Sequence, residues 1–397
     1  MTMITTTTVS MSAPRTIAVL GLGRMGGAIA SRLIDRGWNV VGWTRSGRPS
    51  GGVTMTGDPS EAVAKAGVVL LSLFDGPACR QVLDEVRDSL RADAIVLNTS
   101  TVAPAEASAL ARDFGPVYVH APVLGSVPAA ATGALRILAA AGRDALERVG
   151  PVLETLGTVR RVDDAATAAA LKLIANNSLA GAVLALRDAL RQADALGLPR
   201  GQVLDVLELG RLGGLVVRKR RFLDGESAAT AAAAEFTIGA LVKDMALLAA
   251  ASDIPLGGAA GLADTPAGPE ADIAVAATAP AVADVVLEPL RAYMRGHATG
   301  DPRHFREAFL PTAHVEGIRD GVFVSWPLDE YCALFQGRPA PDEPARSRRV
   351  DAVDVHGTVA TATMTLRHGA DTFTDVFLLV RVDDGWRIAN KAYHRHA

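Results

Sequence analysis

Gly21, Gly23 and Gly26 fall on a G-x-G-x-x-G spacing within TIAVLGLGRMGGAIAS, residues 16–31. At those three steps a missing side chain permits a sharp turn, a close approach of a pyrophosphate to the backbone, and tight packing of a helix on the strand before it. The helix that follows aims free N–H groups and the positive end of its dipole at the phosphates. Leu22, Arg24 and Met25 complete the turn, so the whole segment is a candidate dinucleotide cradle. Lys172 is the second candidate for chemistry. It is the only charged residue between Asp164 and Arg187 in an alanine-rich, largely apolar stretch. Such a lysine either snorkels to water or points into a cleft. Asn176, one turn later on the same face, favours the cleft. Burial would bring the lysine down from about 10.4 toward neutrality, where proton transfer is most efficient.

The elements around these residues read as an α/β unit. Four apolar residues (17–20) precede the glycines, Ile29, Leu33 and Ile34 share one face of the helix after them, and WNVVGW (38–43) is the next strand. That strand ends in Gly42, Trp43, Thr44, Arg45 and Ser46, with no carboxylate. A site specific for NAD places Asp or Glu about 20 residues past the glycines to hold the ribose 2′-OH. A guanidinium and two hydroxyls suit a 2′-phosphate instead. Arg48 stands near enough to add to them. NADP(H) is therefore the expected cofactor, with NAD(H) the alternative. Further strands are read at 68–73, 94–98, 117–120, 135–140 and 158–162, with helices at 77–90 and 104–112. Apolar strands alternating with helices predict a Rossmann domain over 14–162, its parallel sheet covered on both faces and its ligand outside the strands' carboxyl ends.

The texture changes at Asp163. Residues 164–195 predict one long helix of about 45 Å, with Gly181 as a candidate interruption, ending at Gly197-Leu198-Pro199. A helix of that length links domains or forms a subunit contact. With helices at 201–209 and 236–251 it makes an all-α domain over 163–256. The RKRR cluster at 218–221 reads as a solvated helix face rather than a phosphate contact. A Gly, Ala and Pro-rich stretch at 257–280 reads as a linker. Residues 281–397 predict helices at 282–295 and 303–309, strands at 314–318 and 322–326, a helix at 328–335, and a Pro-rich loop at 338–345. Strands at 349–355, 358–366, 372–382 and 386–393 follow, the last pair turned by Asp383-Asp384-Gly385. Helices followed by a meander give an α+β sheet curved around helices.

The bulk composition sets bounds. The 397 residues are 49% apolar and 21% charged, enough for two or three folded domains. A net charge of -3 with both signs mixed points to neither nucleic acid nor an acidic membrane surface. Cys79 and Cys332, far apart and in unlike contexts, suggest no disulfide framework and no metal site, which fits a cytoplasmic protein. Residues 1–13, rich in Thr and Met, lack the pattern of a signal peptide and read as a disordered leader. No apolar run is read as a bilayer span.

Five motifs in order carry a family resemblance: GLGRMGGAIA at 21–30, NTSTV at 98–102, APVLGSVPAAATGALRILAAAG at 121–142, LKLIANN at 171–177 and LVKDMALLA at 241–249. Residues 15–255 thereby resemble the β-hydroxyacid dehydrogenases, relatives of 6-phosphogluconate dehydrogenase. The 121–142 stretch looks most like the glyoxylate and succinic semialdehyde reductase branch. The resemblance implies NAD(P)-linked interconversion of small hydroxy acids with their aldehyde or keto forms, as in 3-hydroxyisobutyrate dehydrogenase. It makes Lys172 the catalytic lysine, with Asn176, and less directly Asn177, orienting a small carbonyl substrate. Gly125 and Ser126 would offer a backbone N–H and a hydroxyl to the substrate carboxylate. Leu73, Phe74 and Thr101 match positions lining the nicotinamide and ribose. Lys243 matches a lysine near the cofactor, and Asp244 is placed either to pair with it or to lie with it on a solvated face. Two departures stand out: Leu124 replaces a usual serine and His120 a common acidic residue. They imply a pocket more apolar than a simple hydroxy-acid site.

The tail, including VDDGWRIANKAYH at 382–394, resembles the cone-shaped nuclear-transport-factor-2-like fold, in particular its lumazine-binding-like branch. Such a cone hosts an enzyme, binds an apolar ligand or dimerises, and fold alone does not choose. His314, Asp329, Tyr331 and His394 are candidates for its cavity mouth, although surface or core placement is the commoner fate of such residues. The helical domain looks shortened beside its relatives, so its missing cover is expected from a partner subunit or from the next domain, and a homodimer or larger homo-oligomer is the expected assembly. Three other readings stay open on this fold: an imine reductase, a bifunctional biosynthetic enzyme, and a non-catalytic dinucleotide sensor.

Overall fold

The computed structural model describes residues 16–48, 51–226, 234–254, 256, 262, 265, 268–278, 282–319, 321–382 and 385–396. The leader at 1–13, the Asp383-Asp384 part of the turn and most of 257–267 lie outside them. The chain divides into two compact units, Met1–Ala259 with Pro269–Ala277, and Ala260–Gly268 with Thr278–Ala397.

In the first unit, β1 (Thr16–Leu20), α1 (Arg24–Asp35), β2 (Asn39–Trp43), β3 (Thr54–Met55), α2 (Pro59–Val63), β4 (Val68–Leu71), α3 (Gly76–Val86), β5 (Ile95–Asn98), α4 (Pro104–Phe114) and β6 (Tyr118–His120) wind one parallel sheet. Its strand order is β3-β2-β1-β4-β5-β6, the order of a dinucleotide-binding fold. The strand order reverses between β1 and β4, so the crevice at their carboxyl ends is the place for a ligand. Both faces are buried: Ile17, Val19, Leu70 and Leu97 pack on Ile29 and Leu33, whereas Ala18, Leu20, Leu71 and Val96 pack on Val82, Leu83 and Leu110.

Two expected strands leave this sheet. β7 (Val123–Leu124), β8 (Leu135–Ala139) and β9 (Gly157–Arg161), with α5 (Val127–Thr132) and α6 (Arg143–Leu156) between them, form a separate three-stranded sheet. β7 runs antiparallel to β8, and β8 parallel to β9. Only Ala121 and Pro122 separate β6 from β7, too short a link for a parallel crossover, so the chain starts a new sheet there.

α7 (Ala165–Ala195) runs unbroken for 31 residues, about 46 Å at 1.5 Å each, through Gly181. Asp164 caps it by accepting from the Thr167 N–H. By length and composition this helix could cross a bilayer, contrary to the sequence reading. Here it packs against α4 and against α10 (Ile238–Ser252), which accounts for its apolar stripe. α8 (Arg200–Glu208) and α9 (Gly213–Leu223) lie between α7 and α10 in sequence. Residues 269–277, inside the stretch read as a linker, fold into the same unit, where α11 (Ile273–Thr278) starts just after an Asp272–Thr237 bridge.

The second unit packs α12 (Val282–Thr299), α13 (Pro302–Ala308) and α14 (Leu328–Cys332) with one six-stranded sheet. Its strands are β10 (His314–Arg319), β11 (Val322–Pro327), β12 (Ser347–His356), β13 (Val359–His368), β14 (Asp371–Val382) and β15 (Gly385–His396), in the order β11-β10-β15-β14-β13-β12. All neighbours are antiparallel except β10 and β15. Register shifts at Val350/Ala352 and Leu378/Leu379 are the irregularities at which a long antiparallel sheet bends. Tyr293, Phe305, Phe309 and Phe377 fill the core beneath it.

Candidate active site

The glycine turn at the end of β1 has the shape its spacing implies. Gly21 has φ 97°, and a Cβ there would strike the Ser72 carbonyl. A Cβ at Gly26 would run into the carbonyl oxygen of Gly21. At Gly23 nothing lies within 4 Å of the Cβ position. Two glycines thus let the strand and helix close on each other, and the third leaves an open cradle before α1. That combination fits a bound pyrophosphate.

The cradle opens into a cavity of about 290 Å³ lined by Gly23, Arg24, Met25, Gly26, Leu73, Phe74, Thr101, Lys172 and Lys243, among others. Arg24 reaches across it to Thr237 Oγ1 at 3.4 Å. Leu22 lies outside this lining, its side chain resting on Gly42 and Val53. Thr44, Arg45 and Ser46 follow β2 and also lie outside this cavity. Arg45 is exposed there and donates to Gln81 Oε1 at 3.2 Å. Lys243 donates to the carbonyls of Phe74 at 2.7 Å and Thr101 at 3.2 Å, tying α10 to the loops after β4 and β5.

Lys172 is buried on α7 and donates to Asn176 Oδ1 at 3.1 Å. Asn176 Nδ2 donates to Asp244 Oδ2 at 2.5 Å. Asp244 is buried too, and its Oδ1 lies 2.9 Å from Lys243 Nζ in an ion pair without hydrogen-bond alignment. Asp244 therefore belongs to a buried network rather than to a solvated helix face. Burial pulls the Lys172 ammonium down to about 8, with Asp244 opposing that shift and Lys243 adding to it.

A second cavity of about 560 Å³ meets the first at Lys172, Gly125 and Ser126. Gly125 has φ 130°, a conformation that favours glycine. Ser126 is the N-cap of α5, yet its hydroxyl makes no capping bond and stays available. Leu124 lies directly opposite Arg136 across the β7–β8 pair, and both line the second cavity with Asn176. Asn177 lines neither cavity. His120 is fully buried and held neutral, its ring pulled down to about 4 by desolvation.

The sequence reading missed one structural cluster. Lys219, inside the basic run expected to face solvent, is buried. It donates to Glu235 Oε2 and Asp272 Oδ2, each at 2.9 Å. Asp272 in turn accepts from the N–H groups of Glu235, Phe236 and Ala274. Glu235 and Phe236 line both cavities, so this cluster fixes the wall they share. The available signal was spacing: 215, 216, 219, 222 and 223 form one helical face, and all five are buried. Arg220 is half-buried and pairs with Asp205 and Asp224, and Arg221 is exposed and pairs with Glu226 and Glu235.

The second unit has its own cavity, of about 350 Å³. Tyr331 lines it; His314, Asp329 and His394 do not. Lys391 Nζ lies 2.6 Å from Tyr293 Oη and 2.7 Å from Asp375 Oδ2, and Tyr293 donates to that same oxygen at 2.6 Å. All three side chains are buried. Among the described residues no group of three or more His, Cys, Asp and Glu side chains is placed to hold a metal.

Residues 16–168 match the family described as the NAD binding domain of 6-phosphogluconate dehydrogenase, and residues 281–394 match the putative lumazine-binding family. A probable 3-hydroxyisobutyrate dehydrogenase of Mycobacterium tuberculosis is 32% identical over 201 residues, which is 48% of this chain and 68% of that protein. Glyoxylate/succinic semialdehyde reductase 1 of Arabidopsis thaliana is 29% identical over 209 residues, 49% of this chain and 72% of that one. A solved structure of M. tuberculosis 3-hydroxyisobutyrate dehydrogenase with L-serine superposes with a TM-score of 0.56 at 26% identity. That superposition covers 67% of this chain and 98% of the other.

Proposed function

The chain belongs to the hydroxyacid dehydrogenase family that shares the NAD-binding domain of 6-phosphogluconate dehydrogenase, and from that premise we propose an NADPH-dependent reductase of small carbonyl acids with Lys172 as proton donor. Its members are NAD(P)-dependent oxidoreductases acting on CH–OH groups. One observation carries the assignment of roles: a buried lysine, held by Asn176, stands where the cofactor cavity meets a second cavity.

The nicotinamide, when bound, supplies a hydride to the carbonyl carbon. Negative charge then gathers on the carbonyl oxygen, and Lys172 Nζ delivers a proton to it, leaving a neutral amine that regains its proton from water. In the oxidative direction the amine removes the hydroxyl proton. Gly125 and Ser126 hold the substrate carboxylate, and Asn176 keeps the ammonium and substrate in register. Arg45, with Thr44 and Ser46 beside it, takes the 2′-phosphate, which favours NADPH over NADH. Exposed Leu171 and Ile174 on α7 and Val217 on α9 support a homodimer that covers them. Two buried free thiols far apart in sequence, Cys79 and Cys332, support a cytoplasmic setting. The cavity of the second unit supports ligand capture as the task of residues 281–397.

The test is NADPH oxidation by the purified protein with glyoxylate, succinic semialdehyde and bulkier aldehydes. Turnover that disappears in Lys172→Met supports the reading. Tight NADPH binding with no oxidation by any carbonyl compound identifies a sensor instead.

A further inference from the structure

Arg136 on β8 and Arg218 on α9 line the same 560 Å³ cavity as Lys172, and neither has a carboxylate partner among the described residues. Other cations nearby are matched: Lys219 by Glu235 and Asp272, Arg220 by Asp205 and Asp224, Arg221 by Glu226 and Glu235. Glu235, the one carboxylate in the lining, is already held by Lys219 and Arg221. The same lining carries the apolar side chains of Leu124, Ala175, Leu179 and Leu215. Leu124 sits directly across the strand pair from Arg136, so a methyl-lined surface and a guanidinium adjoin where the family's usual serine is absent.

We infer that Arg136 and Arg218 form a distal anion subsite, and that the substrate is a carbonyl acid carrying a second anionic group, a carboxylate or a phosphate, beyond a short apolar spacer. The inference rests on the reductase reading for which end reacts, but the anion subsite stands or falls by itself. Two like charges lining one cavity repel each other, and an anion that meets them is recognised by forked hydrogen bonds as well as by charge. A glyoxylate-sized molecule held at Lys172 would fill little of a 560 Å³ cavity and leave both guanidiniums unmatched. A second anionic group on the substrate neutralises them.

The experiment titrates the full chain calorimetrically with 2-hydroxyglutarate, with 3-phosphoglycerate, and with 2-hydroxyvalerate, which matches the first in carbon count but lacks the second carboxylate. Wild-type protein is expected to bind at least one of the first two compounds about tenfold or more tighter than 2-hydroxyvalerate, the gain of one or two charged hydrogen bonds. The tighter binder of these two tells carboxylate from phosphate. Arg136→Gln and Arg218→Gln each cut that ratio, and the double variant brings it near one. Both side chains are exposed, so unchanged melting temperatures verify that the variants fold. Equal binding of all three compounds by wild type overturns the inference, as does a preference that survives in the double variant. A double variant that changes only its sedimentation coefficient overturns it too, because the arginines then serve a contact with a second copy. NADPH oxidation with 2-oxoglutarate and 2-oxovalerate is measured in parallel. A preference for the second anionic group in binding without any turnover removes the reductase reading alone, whereas turnover without the preference removes the subsite alone.

Discussion

Asn176 and Asp244 are 68 positions apart, yet the amide of one reaches the carboxylate of the other at 2.5 Å. That contact fixes the amide. With Nδ2 committed to Asp244, Oδ1 must face Lys172, which donates to it from one turn away on α7. The carboxylate is anchored in turn by Lys243, whose ammonium also holds the carbonyls of Phe74 and Thr101. A proton-bearing lysine on the long helix is thus positioned from α10 and from two loops of the parallel sheet. Few rotamers satisfy all of these partners together, so the ammonium is preorganised before substrate arrives.

Replacing Lys172 tests the role directly. Lys172→Met keeps the length of the side chain and removes the exchangeable proton. Its kcat is expected to fall about 10²–10⁴-fold, the usual contribution of a positioned general acid. The NADPH dissociation constant should stay within a few-fold, because the glycine cradle lies elsewhere in the cavity. Stopped-flow hydride transfer and a fluorescence titration of NADPH separate the two. A variant with near-wild-type turnover removes Lys172 from the mechanism.

The pH dependence follows from the depressed ammonium. Reduction needs the protonated form, so kcat/KM is expected to be level below about 8 and to fall as pH rises through it. Oxidation needs the free amine and rises over the same interval. Asp244 holds the Lys172 value up and Lys243 pushes it down. Asp244→Asn should therefore move both breakpoints to lower pH, and Lys243→Met should move them to higher pH. Opposite shifts would show that another group titrates.

Arg45 gives the cofactor prediction. Its guanidinium is exposed beyond β2 and is steadied by Gln81 on α3. Arg45→Ala should raise KM for NADPH about tenfold or more, the loss expected for a charged hydrogen bond to phosphate, and leave NADH nearly unaffected. Steady-state kinetics with both cofactors decide it. Equal effects on the two would place the 2′-phosphate away from Arg45.

The parallel sheet, its glycine turn and the long helix were legible in the sequence because each follows local rules. Buried strands read as continuous apolar runs, and a glycine spacing encodes a turn. Lys172 was legible as a lone charge in an apolar helix. What escaped depends on contacts distant in sequence. Lys219 looked like part of an exposed basic run, and only Asp272, 53 positions later, shows why it is buried. Asp272 itself lay in a stretch whose Gly, Ala and Pro content says nothing about where it docks. The separate β7–β8–β9 sheet escaped for a different reason: apolar alternation gives strand existence, not strand direction. The partner of Asp244 could not be read either, since a KD pair on a helix looks the same on a solvated face as in a core.

In the second unit, Lys391 and Asp375 are buried together with Tyr293, so removing one charge leaves the other without its partner. Lys391→Met or Asp375→Asn should each destabilise that unit by about 3–5 kcal/mol. Lys391→Met with Asp375→Leu should cost less than either change alone, because no buried charge is then left unpaired. Guanidinium unfolding of the full chain, followed by tryptophan fluorescence, reads the shift. Additive losses in the double variant would mean the pair contributes through packing and not through charge.

Gly23 and Gly26 separate folding from cofactor binding within one turn. A methyl group at Gly26 meets the Gly21 carbonyl oxygen, and neither the strand end nor the first turn of α1 can retreat without opening the β1–α1 packing. Gly26→Ala is therefore expected to lower the melting temperature and to lose NADPH binding together. A methyl group at Gly23 meets no protein atom within 4 Å. Gly23→Ala should keep the wild-type melting temperature and spectrum. The same methyl would occupy the space a pyrophosphate needs beside the backbone, so NADPH affinity should fall by about tenfold or more. Differential scanning fluorimetry and NADPH titration on the two variants give four numbers with a fixed pattern. If Gly23→Ala binds NADPH as tightly as wild type, the phosphates do not lie at this turn, and the roles assigned to Arg45 and Lys172 lose their common reference point.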